Sequence, residues 1–315
     1  MMKNSDHIVV RSVNISKEKG TVKTPVDSGI ITHEGIQDDA HSGPWHRQIS
    51  LLSVDSINNF NKKAAREIKF GEFAENLTLE GIDLSQVGLL DRFYSDEIEL
   101  EVTQIGKKCH GDGCAIFLEV GKCAMPKEGL FCRVTKAGHI NTGDQLFFNP
   151  KVFKALVVTL SDRAARGEYE DKSGTWIKEK MNDFCISSFR RHQVEHVIIP
   201  DESKKLLNTF HYAKENNFDL LISTGGTGIG SRDITPETLS PFIDKRLPGI
   251  MEMIRVKYGA DNPNALLSRS VAGISGKMLV YALPGSSKAV KEYMEIILPT
   301  LKHSYYMVSD LDVHH

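Results

Sequence analysis

The chain has 315 residues, room for two domains that each bury a core of their own. Lys and Arg number 39 against 41 Asp and Glu, a formal net charge of −2, which excludes a nucleic-acid wrapper or membrane-surface binder and requires any anionic ligand to be held locally. No window offers the roughly 18 consecutive apolar residues of a membrane span, and Met1 to Ser12 lacks the apolar core of a signal peptide, so a cytoplasmic protein is expected.

Taken in chain order, the first half is a series of short β-branched or alternating runs: Ile8 to Ile15, Ile49 to Ser53, Glu97 to Ile105, Leu130 to Thr135 and Gln145 to Phe148. These read as strands separated by turns such as Gly111-Asp112-Gly113 and Gly143-Asp144, and only Val54 to Ile68 reads as helix. A mainly β, barrel-like domain is expected. The pattern changes at Asn149-Pro150-Lys151, which divides the chain into residues 1–150 and 151–315.

Beyond Pro150, strands alternate with helices. Ala155 to Leu160 is a continuous apolar run of the buried-strand type, and Ile177, Met181, Phe184 and Cys185 follow at helical spacing. Val194 to Ile199, with Leu206, Phe210 and Ala213 after it, repeats the plan, and Asp219 to Ser223 is a third strand that ends in a glycine turn. Thr235-Pro236 is a helix start. Met278 to Leu283 precedes a helix with Val290, Tyr293, Met294, Ile297, Leu298 and Leu301 on one face, where Pro299 predicts a kink. The expected fold is α/β, a mostly parallel sheet with helices on both faces, and ligands in such folds sit beyond the carboxyl ends of the strands.

The loops at those ends are Ser161-Asp162-Arg163 with Asp171-Lys172-Ser173-Gly174, Pro200-Asp201-Glu202, Thr224-Gly225-Gly226-Thr227-Gly228 with Arg232-Asp233-Ile234-Thr235-Pro236-Glu237, and Leu283-Pro284-Gly285-Ser286-Ser287. Glycines let successive N–H groups converge on an anion, and a helix N-terminus adds partial positive charge, so the chemistry is that of phosphate. Carboxylates beside such a cradle do not bind phosphate directly. Asp201 and Asp233 fit a magnesium ion, its water shell or the orientation of a nucleophile. Neither a P-loop nor a dinucleotide-binding glycine motif is present.

Together these motifs, with Leu247-Pro248-Gly249 and Leu267-Ser268-Arg269, make the region from about Lys154 to Ser309 resemble the bacterial molybdopterin adenylyltransferase family. The resemblance implies attack of the molybdopterin phosphate on the α-phosphorus of ATP, with release of pyrophosphate and a requirement for Mg2+. It implies Asp201 and Asp233 as the functional acids, with Asp233 at the magnesium ion. The implied substrate-binding set is Ser161, Asp162, Ser173, Gly225, Gly226, Thr227, Gly228, Arg232, Glu237, Arg269, Pro284, Gly285 and Ser286. It further implies a homo-oligomer, a trimer in many members, and a molybdenum insertase as protein partner. A second reading is a non-catalytic carrier that binds pterin and passes it on.

In the first half, Gly71-Glu72-Phe73-Ala74-Glu75-Asn76-Leu77-Thr78-Leu79-Glu80-Gly81-Ile82, Val87-Gly88 and Leu100-Glu101-Val102-Thr103-Gln104 ahead of Cys109 resemble a MOSC domain spanning about Ile8 to Phe148. The resemblance implies sulfur handling or molybdenum-cofactor binding, with Cys109 as the reactive thiol beside Lys107, Lys108 and His110. Lys107-Lys108 stands where Arg-x-Pro is usual. Cys109, Cys114, Cys123, Cys132 and Cys185 are an odd number, expected as thiols, and the first four lack the paired spacing of a structural zinc site. His33, Asp38, Asp39, His41 and His46 gather in one stretch, which reads as a solvated polar loop with a metal site as the other reading.

Overall fold

The computed structural model describes residues 7–62, 66–107 and 123–311. It divides into two compact units, Met1–Lys151 and Val152–His315.

The first unit contains β1 (Ile8–Ile15), β2 (Thr24–Val26), β3 (Ser28–Thr32), β4 (Gly35–Ile36), β5 (Ile49–Ser53), β6 (Leu77–Glu80), β7 (Arg92–Tyr94), β8 (Glu99–Ile105), β9 (Leu130–Lys136), β10 (Gly138–Asn141) and β11 (Gln145–Asn149). Seven of these close a barrel in the order β11-β7-β8-β9-β5-β6-β1, because β1 also pairs antiparallel with β11 through Ile8 opposite Leu146. Closure removes the unpaired strand edges that an open sheet would expose. Val10, Leu51, Leu77, Leu79, Leu100 and Val102 fill the interior, each with no measurable exposure. Helix α1 (Val54–Asn61) is capped by Ser53, whose hydroxyl accepts from Ser56 N–H at 3.0 Å. It ends seven residues before the expected Ile68, which instead donates its N–H to the Asn61 side chain at 2.8 Å.

The histidine-bearing stretch is solvated only in part: His33 and Asp38 are exposed and His41 and His46 half-buried, but Asp39 is not. Asp39 is 6% exposed and pairs with Lys23, itself 3% exposed. Burial works against the Asp39 charge, but Lys23 and the Ser16 N–H outweigh it and hold the carboxyl below its usual range. Burial also lowers the Lys23 ammonium and, with the charge of Lys23, the His41 imidazole. Cys132 is fully buried with its thiol pushed up, while Cys109 and Cys114 lie outside the described residues.

The second unit is an α/β layer fold. Strands β12 (Phe153–Leu160), β13 (His192–Ile199), β14 (Leu220–Thr224), β15 (Lys245–Arg246), β16 (Val271–Ser275) and β17 (Met278–Leu283) form one sheet in the order β13-β12-β14-β17-β16-β15. The first four are parallel, and β16 and β15 continue the sheet antiparallel. Helices α3 (Asp162–Ala165), α4 (Lys172–Ser188), α5 (Ser203–Glu215), α6 (Thr235–Leu239), α7 (Pro248–Gly259) and α8 (Ser287–Val308) follow the short α2 (Met125–Glu128) of the first unit. Leu156, Val158 and Leu160 pack against Leu206, Phe210 and Leu239 on one face, and α4 and α8 cover the other. Two covered faces explain why Ala155 to Leu160 is a continuous apolar run. Helix α8 continues through Pro299 to Val308.

Candidate functional site

At the carboxyl edge of β12, β13, β14 and β17, their four loops line one cleft of about 780 Å³. The cleft is built by ties between loops, most of them to backbone atoms. Ser161 N–H, just past β12, donates to Ile199 O of β13 at 3.0 Å. The next residues lock reciprocally: Asp162 N–H donates to the Asp201 carboxylate at 3.1 Å, and Asp201 N–H donates to the Asp162 carboxylate at 3.0 Å. Gly225 N–H reaches Leu283 O at 2.9 Å, and the hydroxyls of Thr224 and Thr235 donate to Pro284 O at 2.8 Å and Gly225 O at 2.9 Å. On the other side, Ser173 donates to Gly285 O at 2.9 Å.

Two glycines of this cradle are required by geometry. Gly225 and Gly226 have φ of 107° and 64°, in the region that favours glycine. A Cβ on Gly225 would lie 2.4 Å from Leu160 O, and one on Gly226 would lie 2.6 Å from Thr235 Oγ1.

Five carboxylates line the cleft, Asp162, Asp171, Asp201, Asp233 and Glu292. Asp162 is fully engaged, since Arg232 pairs with its second oxygen. Asp233 accepts from Gly230 N–H at 2.8 Å, which folds its own turn around it. The Asp201 carboxyl is raised above its ordinary range by burial and by the charge of Asp233, so two like charges act on each other in one cleft. Among the described residues no three His, Cys, Asp or Glu side chains are grouped to hold a metal ion by themselves. An oxygen-only pair of acids that repel each other suits Mg2+, which takes one or two carboxylates and completes its shell with water and substrate phosphates.

Of the expected substrate-binding residues, Ser161, Asp162, Ser173, Gly225, Gly226, Thr227, Gly228, Arg232, Pro284, Gly285 and Ser286 line the cleft, while Glu237 and Arg269 do not. Arg269 is a clamp behind the glycine loop. Its guanidinium donates to Gly228 O at 2.6 Å and Asp233 O at 2.8 Å and pairs with Glu237, and its N–H reaches Thr227 O at 2.9 Å. Its contribution is to hold the loop that carries Asp233.

Sequence reasoning put Asp171 among the strand-end loops without a role and passed over Thr159 and His196, its partners at the cleft. Thr159 and Asp171 both line it, Thr159 donates to Asp171, and His196 Nε2 of β13 lies 3.0 Å from each of them. Asp171 also caps α4, accepting from Gly174 N–H at 2.8 Å. Burial disfavours its charge, but hydrogen bonds from His196, Thr159 and Gly174 outweigh that and hold its carboxyl below the usual range. A carboxyl lowered in the folded state contributes stability that is fully present above its unfolded pKa and is lost as pH falls through the folded one. Asp171→Ala is therefore expected to cost about 2 kcal/mol at neutral pH. Melting followed by circular dichroism should fall by about 4–8 °C at pH 7, with the deficit shrinking in acid. Cys185, in contrast, is on the buried face of α4 with its thiol pushed up to about 12, which marks an inert core residue.

The second unit matches the model of a probable molybdopterin binding domain over residues 156–303, and the first matches the MOSC domain over residues 38–147. The chain is 40% identical over 159 residues to a molybdopterin adenylyltransferase of Pyrococcus furiosus, covering 49% of this chain and 90% of that protein. It is 36% identical over 148 residues to a molybdopterin adenylyltransferase of Helicobacter pylori, covering 47% and 82%. The crystal structure of the tungsten cofactor synthesizing protein MoaB from Pyrococcus furiosus aligns with a TM-score of 0.44 at 38% identity, over 50% of this chain and 99% of that one.

Proposed function

The chain belongs, through its second unit, to the molybdopterin adenylyltransferase family of nucleotidyltransferases and carries a MOSC domain ahead of it, and on that premise we propose that it adenylylates molybdopterin with magnesium ATP. The observation that carries the reading is the convergence of four strand-end loops on one cleft with a glycine cradle facing two coupled carboxylates.

In the proposed reaction a pterin phosphate oxygen forms a bond to the α-phosphorus of ATP, the α–β anhydride breaks, and pyrophosphate leaves with the electron pair. No covalent intermediate with the protein is needed. The work of the protein is to bring two polyanions together and hold them in line. Backbone N–H groups from Gly226 to Gly228 and the N-terminus of α8, just after Gly285-Ser286, supply fixed dipoles for the phosphates. Asp201 and Asp233 are the residues that would hold magnesium, which when bound would offset negative charge on the transferred adenylyl phosphate and the departing pyrophosphate.

Purified protein incubated with molybdopterin, ATP and magnesium is expected to release pyrophosphate. Binding of the pterin with no ATP turnover would instead support a carrier.

For the MOSC unit the proposal is binding of the molybdenum cofactor or handling of its sulfur, with Cys109 as the candidate thiol. A trimer and a molybdenum insertase as recipient complete the reading. Among the described residues no helix is long and apolar enough to cross a membrane. Because every loop of the cleft follows Lys151, the fragment 151–315 is expected to release pyrophosphate at a rate near that of the full chain. Cys109→Ser should likewise leave pyrophosphate release unchanged and impair a later step on the cofactor. Loss of turnover in a folded fragment would place part of the site in the first unit.

A further inference from the structure

Two phosphate-bearing substrates in one cleft need cations facing them, and the basic side chains that line it among the described residues are Arg163, Arg166, Arg232 and Lys288. Three of these are engaged. Arg232 pairs with Asp162, Arg166 donates to Glu168 at 2.7 and 3.0 Å, and the Arg163 guanidinium stacks over the Tyr169 ring at 5.3 Å. Lys288 differs: its ion pair is a loose one to Glu292 at 3.8 Å, and its side chain is 79% exposed.

Its position has no local electrostatic advantage. Lys288 is the second residue of α8 after the cap Ser286, where the unsatisfied N–H groups carry partial positive charge and disfavour a cation. Helices α4 and α5 also have a lysine in the first turn, Lys172 and Lys204, but each starts from an acidic cap position, Asp171 and Glu202. Helix α8 starts from a neutral serine. The order Lys288 then Glu292 is also the weaker orientation of a pair four residues apart. A cation placed against the helix dipole at a cleft wall breaks a local rule, and such breaks concentrate at functional sites. Its turn abuts the glycine cradle, since a Cβ on Gly285 would sit 3.3 Å from Gly225 Cα.

We propose that Lys288 holds a phosphate oxygen of one of the two substrates, exchanging its loose pair with Glu292 for that contact. The role rests on the adenylylation proposed above. The phosphate has two possible sources, the triphosphate of ATP and the monophosphate of the pterin.

The test uses the full chain as wild type, Lys288→Met and Lys288→Arg. KM is measured for ATP and for molybdopterin by pyrophosphate release, and dissociation constants for magnesium ATP and for molybdopterin are measured directly. Lys288→Met is expected to raise the KM and the dissociation constant of one substrate by about 10- to 30-fold. Lys288→Arg should restore most of the loss, and added salt should narrow the gap between wild type and Lys288→Met. The substrate whose constants move is the one that Lys288 holds. Wild-type protein that binds both substrates but releases no pyrophosphate would sink adenylylation and leave Lys288 to be judged on binding. Unchanged constants for both substrates in Lys288→Met would overturn the inference, as would a wild type that binds neither.

Discussion

Asp233→Asn is expected to lower pyrophosphate release by about a hundredfold or more while the protein remains folded. Asparagine keeps the shape and the oxygen that accepts from Gly230 N–H, so the turn from Gly230 to Asp233 survives. What is lost is a charge opposite Asp201. Asp201→Asn should reduce turnover comparably, because its remaining oxygen still accepts from Asp162 N–H and the latch between the loops is kept. The two variants also carry a signature in stability. The Asp201 carboxyl is raised in the folded protein by burial and by Asp233, so its ionised form is disfavoured there. That penalty is absent below the unfolded pKa, grows as pH rises through it, and is complete above the folded pKa. Removing the charge is therefore expected to raise the melting temperature by about 1–3 °C at pH 7 and to change nothing near pH 3. Near wild-type turnover in either variant at limiting magnesium would remove that residue from the set of functional acids.

The second large effect is expected at Gly225. Gly225→Ala places a methyl group 2.4 Å from Leu160 O, at a φ of 107° that alanine rarely adopts. Neither problem is relieved locally, because Gly225 N–H is bonded to Leu283 O and its carbonyl accepts from Thr235. The loop must shift, and with it the ends of β12, β14 and β17. We expect a loss of about 2–4 kcal/mol, seen as a melting temperature lower by roughly 5–15 °C, together with loss of turnover. Gly276→Ala separates the two causes, since Gly276 has φ of 61° and open space around its Cβ position. That variant should cost only about 1 kcal/mol, the penalty of the backbone conformation. Equal losses in both variants would mean that the contact with Leu160 O is not what makes Gly225 necessary.

Much of the second unit was legible because a parallel sheet covered on both faces leaves continuous apolar runs, and Met278 to Leu283 was located to the residue. The antiparallel strand Val271–Ser275 escaped, since Gly273 and two serines around it read as a loop. In the barrel, strands of two to four residues such as Arg92–Tyr94 are too short to display an alternation. Site residues were legible where chemistry demands a distinctive type, a glycine turn or a carboxylate beside it. Arg269 has the chemistry of an anion ligand, yet its donors are spent on backbone carbonyls, which only the fold reveals. Lys288 was missed for the opposite reason, because a lysine in an exposed first turn reads as a solvated face. Asp39 and Lys23 lie 16 residues apart, and nothing local says that they will be buried together.

Pairing Ile8 with Leu146 has a consequence for how the chain is made. The first strand of the barrel to leave the ribosome pairs with the last, so the ring cannot close until Gln145 and Leu146 have been synthesised. Contacts of that sequence separation slow folding, because the loop must close before they form. Until then β1 is held by β6, through Val10 opposite Leu79, and by β2, through Val13 opposite Val26, and the part of its edge at Ile8 and Val9 is open to neighbouring nascent chains. Translation of residues 150–315 takes on the order of 10–30 s at ordinary rates of elongation, an interval in which the barrel can close before the second sheet is complete. Stalled nascent chains ending at residue 140 should thus be cut readily by protease within β1, whereas chains stalled well beyond β11 should resist cleavage there.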